Sequence, residues 1–551
     1  MERLSLQSEK VLYGLLVLAA LALRVAALGH YPLSNAEARL ALQALELARH
    51  TNPALGARPG LAAVTSLVFF LFGSTDALAR LVPALIGGFL PLLAWPFRRR
   101  MGRLAALLFA SALAFDPTLV ALSRVANSPI PALMLGVGAL LAVAYARWNY
   151  AVPLFVLGML FGASFWFGVL GALVVVAIFR IFAPVEIPRP RNLKSLLVGA
   201  FWALALGGTL AYWAPGVLGA AFNSFAAFVT PWKVLDAASV GGALFALVAY
   251  APLAVGAALV SIPLALRTDE NERDTVRLLL IAALAMPILL AIYPYRPFGF
   301  LAWAVLPLWA LAAWALARLP RLGTSSAVHA VLTFLLFTFS LLSLLGWSHT
   351  APSSSESAMR LALFGLTLLL ILLATAMFAW GWTVREALGG LAWGAAVFGL
   401  VLNIAALSRA AYGPRSHELF YGNAASPTVR LLQSTVADFG NWAHGRPDAL
   451  PLVDTTGTPA LAWDFHNLHS FVSVRLLAPD AKPEALITSV GAKPPHTAAY
   501  SGQDFRVSAR APYPFSDLRA VVEWLAFRKG ETPTASAVLW VRTDIFPGAK
   551  K

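Results

Sequence analysis

The feature that most restricts this chain is the recurrence of apolar runs long enough to cross a bilayer. About 30 Å of hydrocarbon takes roughly 17 to 25 mostly apolar residues in a helix, and such runs begin at Val11 and recur as far as Leu407. Thirteen spans are predicted, at 11–28, 81–97, 104–122, 129–146, 151–166, 168–183, 195–214, 240–266, 277–293, 299–317, 327–347, 361–382 and 388–407. The fifth and sixth share one unbroken apolar stretch, and Gly168 marks the predicted division. Charged residues make up 12% of the chain, half the roughly 25% usual in soluble domains, which excludes an ordinary soluble enzyme. The absence of cysteine excludes disulfides, thiolate metal sites and cysteine nucleophiles.

A net charge of +15 would suggest nucleic acid in a soluble protein, but cytoplasmic loops of polytopic proteins are themselves rich in cations. With a cytoplasmic N-terminus, the inner loops hold Arg3, Lys10, the cluster Arg98, Arg99, Arg100 and Arg103, then Arg147, Lys194, Arg273, Arg318 and Arg321 among others. Their cations outnumber those of the outer loops. This assignment requires the apolar stretch 61–72, too short to cross, to be an interfacial or re-entrant helix; as a full span it would place Arg98 to Arg103 outside. Arg3 and Lys10 ahead of an apolar run also fit a signal peptide. The run is long for one and no clear small-residue cleavage site follows, so a retained first span is expected.

After residue 408 Pro, Asp, His and Arg return and no further span appears. Two domains are therefore expected: a transmembrane domain, 1–408, with its first outer loop at 29–80, and an extracytoplasmic domain, 409–551, of an integral protein of the cell membrane. Helical runs at 428–442 and 515–529 alternate with short strands at 450–454, 505–509 and 537–541, which predicts α/β structure. Cations and acids are too balanced there for a nucleic-acid surface.

The first outer loop carries the most chemistry. Ser34 and Glu37 have the spacing of a capping box, in which each side chain bonds the other's backbone N–H. At about 100° per residue Arg39, Gln43, Glu46 and His50 form one polar stripe, while Glu37 falls opposite with Leu40, Ala41 and Ala44. A carboxylate on a packed face is paired, raised in pKa or catalytic, so Glu37 is either the cap alone or a general base. Asp116 lies within a predicted span about two turns before Arg124, either as a functional acid or as that arginine's partner. Arg124, Asn127 and Ser128 make a short outer loop, and Tyr293 to Pro297, with Tyr295 and Arg296, a tight outer turn. Cations at headgroup level, Arg124 and Arg296, suit a lipid-linked phosphate; Asn35, Arg39, Asn127, Ser128 and Tyr295 would line the substrate. His466 and His469 beside Asp464 lack a third metal ligand and read as a surface, so no metal is expected. No P-loop, dinucleotide-binding glycine motif or nucleophile elbow is present.

These features together resemble the GT-C membrane glycosyltransferases, which include protein mannosyltransferases and the lipid A aminoarabinose transferase, and within them the flippase-activity-associated subgroup. The resemblance runs through the acidic first outer loop, Phe72-Gly73-Ser74-Thr75-Asp76-Ala77-Leu78-Ala79-Arg80, and Ser123-Arg124-Val125-Ala126-Asn127-Ser128. In the last domain it takes in Ala460-Leu461-Ala462-Trp463-Asp464 and Val538-Leu539-Trp540-Val541. It implies transfer of a sugar from a polyprenyl-phosphate donor to a glycan, lipid or protein acceptor on the outer face, with the donor as substrate and no cofactor. The family's Asp-Glu pair aligns with Ala36 and Glu37, and the Asp closing its Ser-Arg loop aligns with Ser128. Either Glu37, with Asp116, supplies the base, or the chain is a non-catalytic scaffold assisting lipid-linked glycan assembly or flipping.

Overall fold

A computed structural model of the chain describes residues 6–546 apart from 184–189, 191, 234–239, 267–269, 295–297, 479, 512, 514 and 531. Among the described residues seven helical stretches are long and apolar enough to cross a membrane, or nine if each of two bent pairs is one span. The chain is a polytopic helical membrane protein with a C-terminal sheet domain. Every predicted span lies mainly on helix, but Pro129–Ala144, Trp148–Phe161 and Leu193–Gly208 are short, and α1 (Leu6–Val25) carries Glu9, Lys10 and Arg24. These account for the difference from thirteen.

Both bends have local causes. The helices Arg103–Phe115 and Pro117–Ser123 meet at 47°. Pro117 has no N–H to give the Leu113 carbonyl; Arg24 supplies the donors instead, to Leu113 O at 3.0 Å and Ala114 O at 2.9 Å. Gly242–Tyr250 and Pro252–Ala265 meet at 96°, so the predicted span 240–266 is not one straight helix. Its first arm lies against the C-terminal domain, Phe245 packing on Phe515 and Trp524 at 5.3 and 5.5 Å.

The long apolar stretch after Trp148 divides at Gly162, not at Gly168. Gly162 has φ +89°, a backbone that side chains rarely adopt, and it breaks the chain between Phe161 and the helix Ala163–Phe182. Gly168 sits inside that helix, where a Cβ would fall 2.2 Å from the Trp303 ring. It permits close packing rather than a turn.

The first loop contains α2 (Asn35–Ala48), α3 (Pro59–Phe72) and the start of α4 (Asp76–Gly88). At 14 residues α3 is about 21 Å long, short of the hydrocarbon thickness. It stays on the face that carries the C-terminal domain, where Phe69 stacks on Trp463 at 5.6 Å. Glu9, at the far end of α1, lies 3.8 Å from both Arg98 and Arg103.

The C-terminal domain holds a six-stranded mixed sheet in the order β1-β5-β6-β4-β2-β3. Its strands are β1 (Asn423–Ala425), β2 (Leu452–Asp454), β3 (Phe471–Ser473), β4 (Ala485–Ser489), β5 (Tyr500–Arg510) and β6 (Thr534–Arg542). β2 runs parallel to β3 and β4, and β6 pairs antiparallel with β4 and β5. The helices Thr428–His444 and Leu518–Phe527 fall where periodicity placed them. β4 shows no in-out alternation because four consecutive residues are buried, which hides such a strand from a period-two reading.

Gly168→Ala should lower stability by about 1–3 kcal/mol through overpacking against Trp303, seen as a lower thermal unfolding temperature in detergent. Trp303→Phe should restore part of the loss. Gly256→Ala, where nothing lies within 4 Å, should cost nothing.

Candidate functional site

Glu37 closes the predicted capping box: its Oε2 accepts from Ser34 N at 3.0 Å while Ser34 Oγ accepts from Glu37 N at 3.4 Å. The helix face expected to pack does so, with Glu37, Leu40, Ala41 and Ala44 buried and Arg39 exposed. The capping box is a small part of what Glu37 does. Arg80 grips its carboxylate from both sides, Nε to Oε1 at 2.6 Å and Nη2 to Oε2 at 3.0 Å. Oε1 also accepts Ala126 N at 3.0 Å, and Arg415 lies 3.6 Å from Oε2. Burial alone would raise this carboxyl, but Arg80 and then Arg415 outweigh it and hold the pKa at about 2. The remaining donors of Arg80 reach the carbonyls of Leu28, Tyr31 and Pro32 at 2.7–3.1 Å.

The other predicted residues are held in different ways. Asp116 is fully buried and does not pair with Arg124; Leu119 N donates to Oδ1 at 2.8 Å and the Trp309 indole to Oδ2 at 2.8 Å. It caps the helix restarted by Pro117. Arg124 donates to the carbonyls of Leu23, Arg24 and Ala26 at the end of α1 and to Ala411 O at 2.6–3.1 Å, the groups a helix end leaves unpaired. Asn127 Oδ1 accepts Ser128 N at 2.7 Å, and Ser128 is buried. Asn35 Oδ1 reaches across to Ala460 N at 3.1 Å. Tyr295 and Arg296 lie outside the described residues.

Sequence reasoning missed Arg415, whose position is given meaning by a packed tertiary contact alone. It is 6% exposed, stacks over Tyr421 and Tyr31 at 4.6 and 5.5 Å, and donates Nη2 to Arg124 O at 3.0 Å. Among the described residues its Nε and Nη1 have no hydrogen-bond partner. Burial and the neighbouring Arg80 lower its pKa to about 10. The role of Arg80 had a signal, since a cation at the start of an apolar helix needs a partner.

A polar cavity of about 210 Å³ opens between residues 74–76 of the first loop and the C-terminal domain, lined by Ser74, Asp76, Gln433, Asp464, His466 and Asn467 among others. The Trp463 indole donates to Asp76 Oδ1 at 2.7 Å, and the ring stacks on His466 at 4.5 Å. Ser74 Oγ lies 2.9 Å from His466 Nε2, while His466 Nδ1 contacts Trp463 O. Both imidazole nitrogens are thus committed, which removes His466 from the metal pairing with His469. Burial and nearby Asp76 push the Asp464 carboxyl well above the usual carboxylate range.

No protein-family model matches the chain, and no curated protein matches it in sequence. It is similar in structure to ArnT from Cupriavidus metallidurans bound to undecaprenyl phosphate, at 16% identity and TM-score 0.50, over 83% of this chain and 85% of that chain. The apo state of the same protein matches at 17% identity and TM-score 0.50, over 85% and 86%. The Archaeoglobus fulgidus oligosaccharyltransferase, at 14% identity over 84% and 63%, has a TM-score of 0.44. The fold of this chain is thus similar to that of ArnT, a GT-C membrane transferase.

Proposed function

We propose that this chain binds a polyprenyl-phosphate-linked glycan at the extracytoplasmic face of the cell membrane, assisting its assembly or flipping without itself transferring the sugar. It crosses thirteen times, with a cytoplasmic N-terminus and an extracytoplasmic C-terminal domain. The cation bias of alternate loops supports this topology, as does the meeting of Glu9 with Arg98 and Arg103 at 3.8 Å away from the C-terminal domain. The lipid is suggested by ArnT, a protein of the same fold described as bound to undecaprenyl phosphate. Arg124 spends its donors on carbonyls, so the phosphate falls to Arg296 and to Arg415, whose Nε has no hydrogen-bond partner among the described residues. No metal or cofactor takes part.

The observation that carries the non-catalytic reading is the state of Glu37. A general base needs an oxygen free to take the acceptor's proton and a pKa near the working pH. With a pKa of about 2 and both oxygens engaged, Glu37 offers neither. Ala36, where the resemblance places the absent acid, is exposed: the retained member of the pair is the buried one. A transferase reading is favoured by Asp76 and Asp464, whose carboxylates line one cavity; there one of them, and not Glu37, would take the proton.

Four measurements test this reading. Single-cysteine labelling from outside intact cells should reach Leu476→Cys, at a position 89% exposed, and spare Arg100→Cys; outside labelling of Arg100→Cys overturns the topology. Glu37→Gln strands Arg80 in the interior and should cost about 3 kcal/mol at pH 7. The folded carboxyl titrates at about 2 against an ordinary 4.5, so its stabilisation is present above 4.5 and lost as pH falls toward 2, and the gap between variant and wild type should close over that window. Transfer from an undecaprenyl-phosphate-linked sugar should be absent in both and could appear only with Ala36→Asp; wild-type transfer that drops about 100-fold in folded Glu37→Gln rejects the reading. Arg296→Ala and Arg415→Ala should each weaken undecaprenyl-phosphate binding about tenfold or more, with less than additive loss in the double variant because both hold one anion.

A further inference from the structure

The end of the membrane domain away from the C-terminal domain carries a basic cluster, Arg98, Arg99, Arg100 and Arg103, that the lipid-linked glycan reading does not use. Arg430 of the C-terminal domain donates to Gly29 O, just past one end of α1. Glu9, which faces the cluster, is near the other end of this 20-residue helix, about 30 Å long. The segment that delivers the arginines, Leu90–Phe97, is a 3-10 helix of eight residues, where runs beyond three or four are uncommon. Pro96 has no N–H to donate and its ring crowds the Leu92 carbonyl, which disfavours an α-helix there.

A 3-10 helix has three residues per turn and stacks the side chains at i and i+3 in one row. Burial follows that period: Leu90, Pro91, Leu93 and Ala94 are buried, Phe89 and Leu92 are each 43% exposed, and Trp95 and Arg98 are partly open. Phe89, Leu92, Trp95 and Arg98 therefore form one outward row that is apolar, then aromatic, then cationic. At a rise of about 2 Å per residue the row is about 18 Å long, close to half of the roughly 30 Å of hydrocarbon in a bilayer. Its cationic end is fixed. Arg98 lies over the Trp95 ring at 3.7 Å, that ring meets Tyr13 of α1 edge-on at 5.0 Å, and Tyr145 donates to Pro96 O at 2.8 Å.

The charge at this end is in excess. Glu9 is fully buried and lies 3.8 Å from both Arg98 and Arg103, so its one charge faces two guanidiniums. Among the described residues Arg99 and Arg100 are exposed and pair with no acid. The preference for cations in cytoplasmic loops explains that arginines are present, but not that they cap an apolar and aromatic row. A dissolved phosphate would need the cations alone. A phospholipid would use the whole row, its acyl chain along Phe89 and Leu92, its interfacial region at Trp95 and its phosphate at the guanidiniums.

We propose that this row and the arginines that follow it bind the headgroup of an anionic phospholipid in the leaflet opposite the C-terminal domain. The site is separate from Arg296 and Arg415, and the inference does not depend on the polyprenyl-phosphate reading.

The test is native mass spectrometry of the full chain in an uncharged detergent, titrated with dioleoylphosphatidylglycerol and, separately, with dioleoylphosphatidylcholine. The first phosphatidylglycerol should bind about tenfold or more tightly than phosphatidylcholine. Arg98→Gln should remove most of that preference, and the double variant Arg99→Gln, Arg100→Gln should reduce it. Arg385→Gln, at an exposed arginine of another loop, should leave it unchanged. Because Glu9 loses a partner in Arg98→Gln, the exposed double variant decides the matter if that protein does not fold. Equal affinity for the two lipids overturns the site, as does a preference untouched by the double variant. Loss of equal size in Arg385→Gln overturns it in favour of diffuse attraction. A rise in unfolding temperature with inorganic phosphate as large as that with phosphatidylglycerol at the same concentration overturns it in favour of a soluble anion.

Discussion

The buried ion pair of Glu37 and Arg80 is the interaction on which the rest of this side of the molecule depends. Two charges taken out of water are tolerable only when geometry and further hydrogen bonds compensate them, and here every donor of Arg80 finds an oxygen. Three of those oxygens, the carbonyls of Leu28, Tyr31 and Pro32, belong to the turn between α1 and α2, so the pair sets the path of the first loop. The carboxylate then takes Ala126 N from a second loop and draws Arg415 from the start of the C-terminal domain. One carboxylate joins parts of the chain that no local rule would bring together.

A second constraint comes from the membrane, which offers no water to an unpaired backbone group. Helices that break or end must find other donors, and in this chain arginines supply them. Arg24 serves the carbonyls freed before Pro117, and Arg124 serves the end of α1 together with Ala411 of the last membrane helix. Such guanidiniums have few donors left for a ligand. Arg415 differs in that, among the described residues, its Nε has no hydrogen-bond partner and its Nη1 meets Glu37 only as an ion pair at 3.6 Å.

The face shared by the first loop and the C-terminal domain therefore has two regions of distinct character. Around Glu37 it is ionic and buried, with both carboxylate oxygens engaged. Between Asp76 and Asp464 it is polar, open by about 210 Å³ and short of partners. The segments Phe72 to Arg80 and Ala460 to Asp464, far apart in the chain, meet across that cavity through Asp76 and Trp463.

The sequence by itself determined whatever depends on neighbours within a turn or two. Apolar runs placed the long helices, the shortness of 61–72 appears as the 14-residue helix α3, the spacing of Ser34 and Glu37 produced the capping box, and periodicity located Thr428–His444 and the cores of β5 and β6. It could not tell Gly162 from Gly168, because one is needed for its φ and the other for a Trp303 ring that comes from a distant helix. Nor could it foresee that Asp116 would meet Trp309 rather than Arg124, or reveal Arg415 beside Glu37 and, among the described residues, Asp464 Oδ2 with no hydrogen-bond partner. Those outcomes belong to the tertiary structure alone: a charge or a hydrogen bond acts over a few ångströms of space, and the chain separation of the groups that meet carries no information about which will do so.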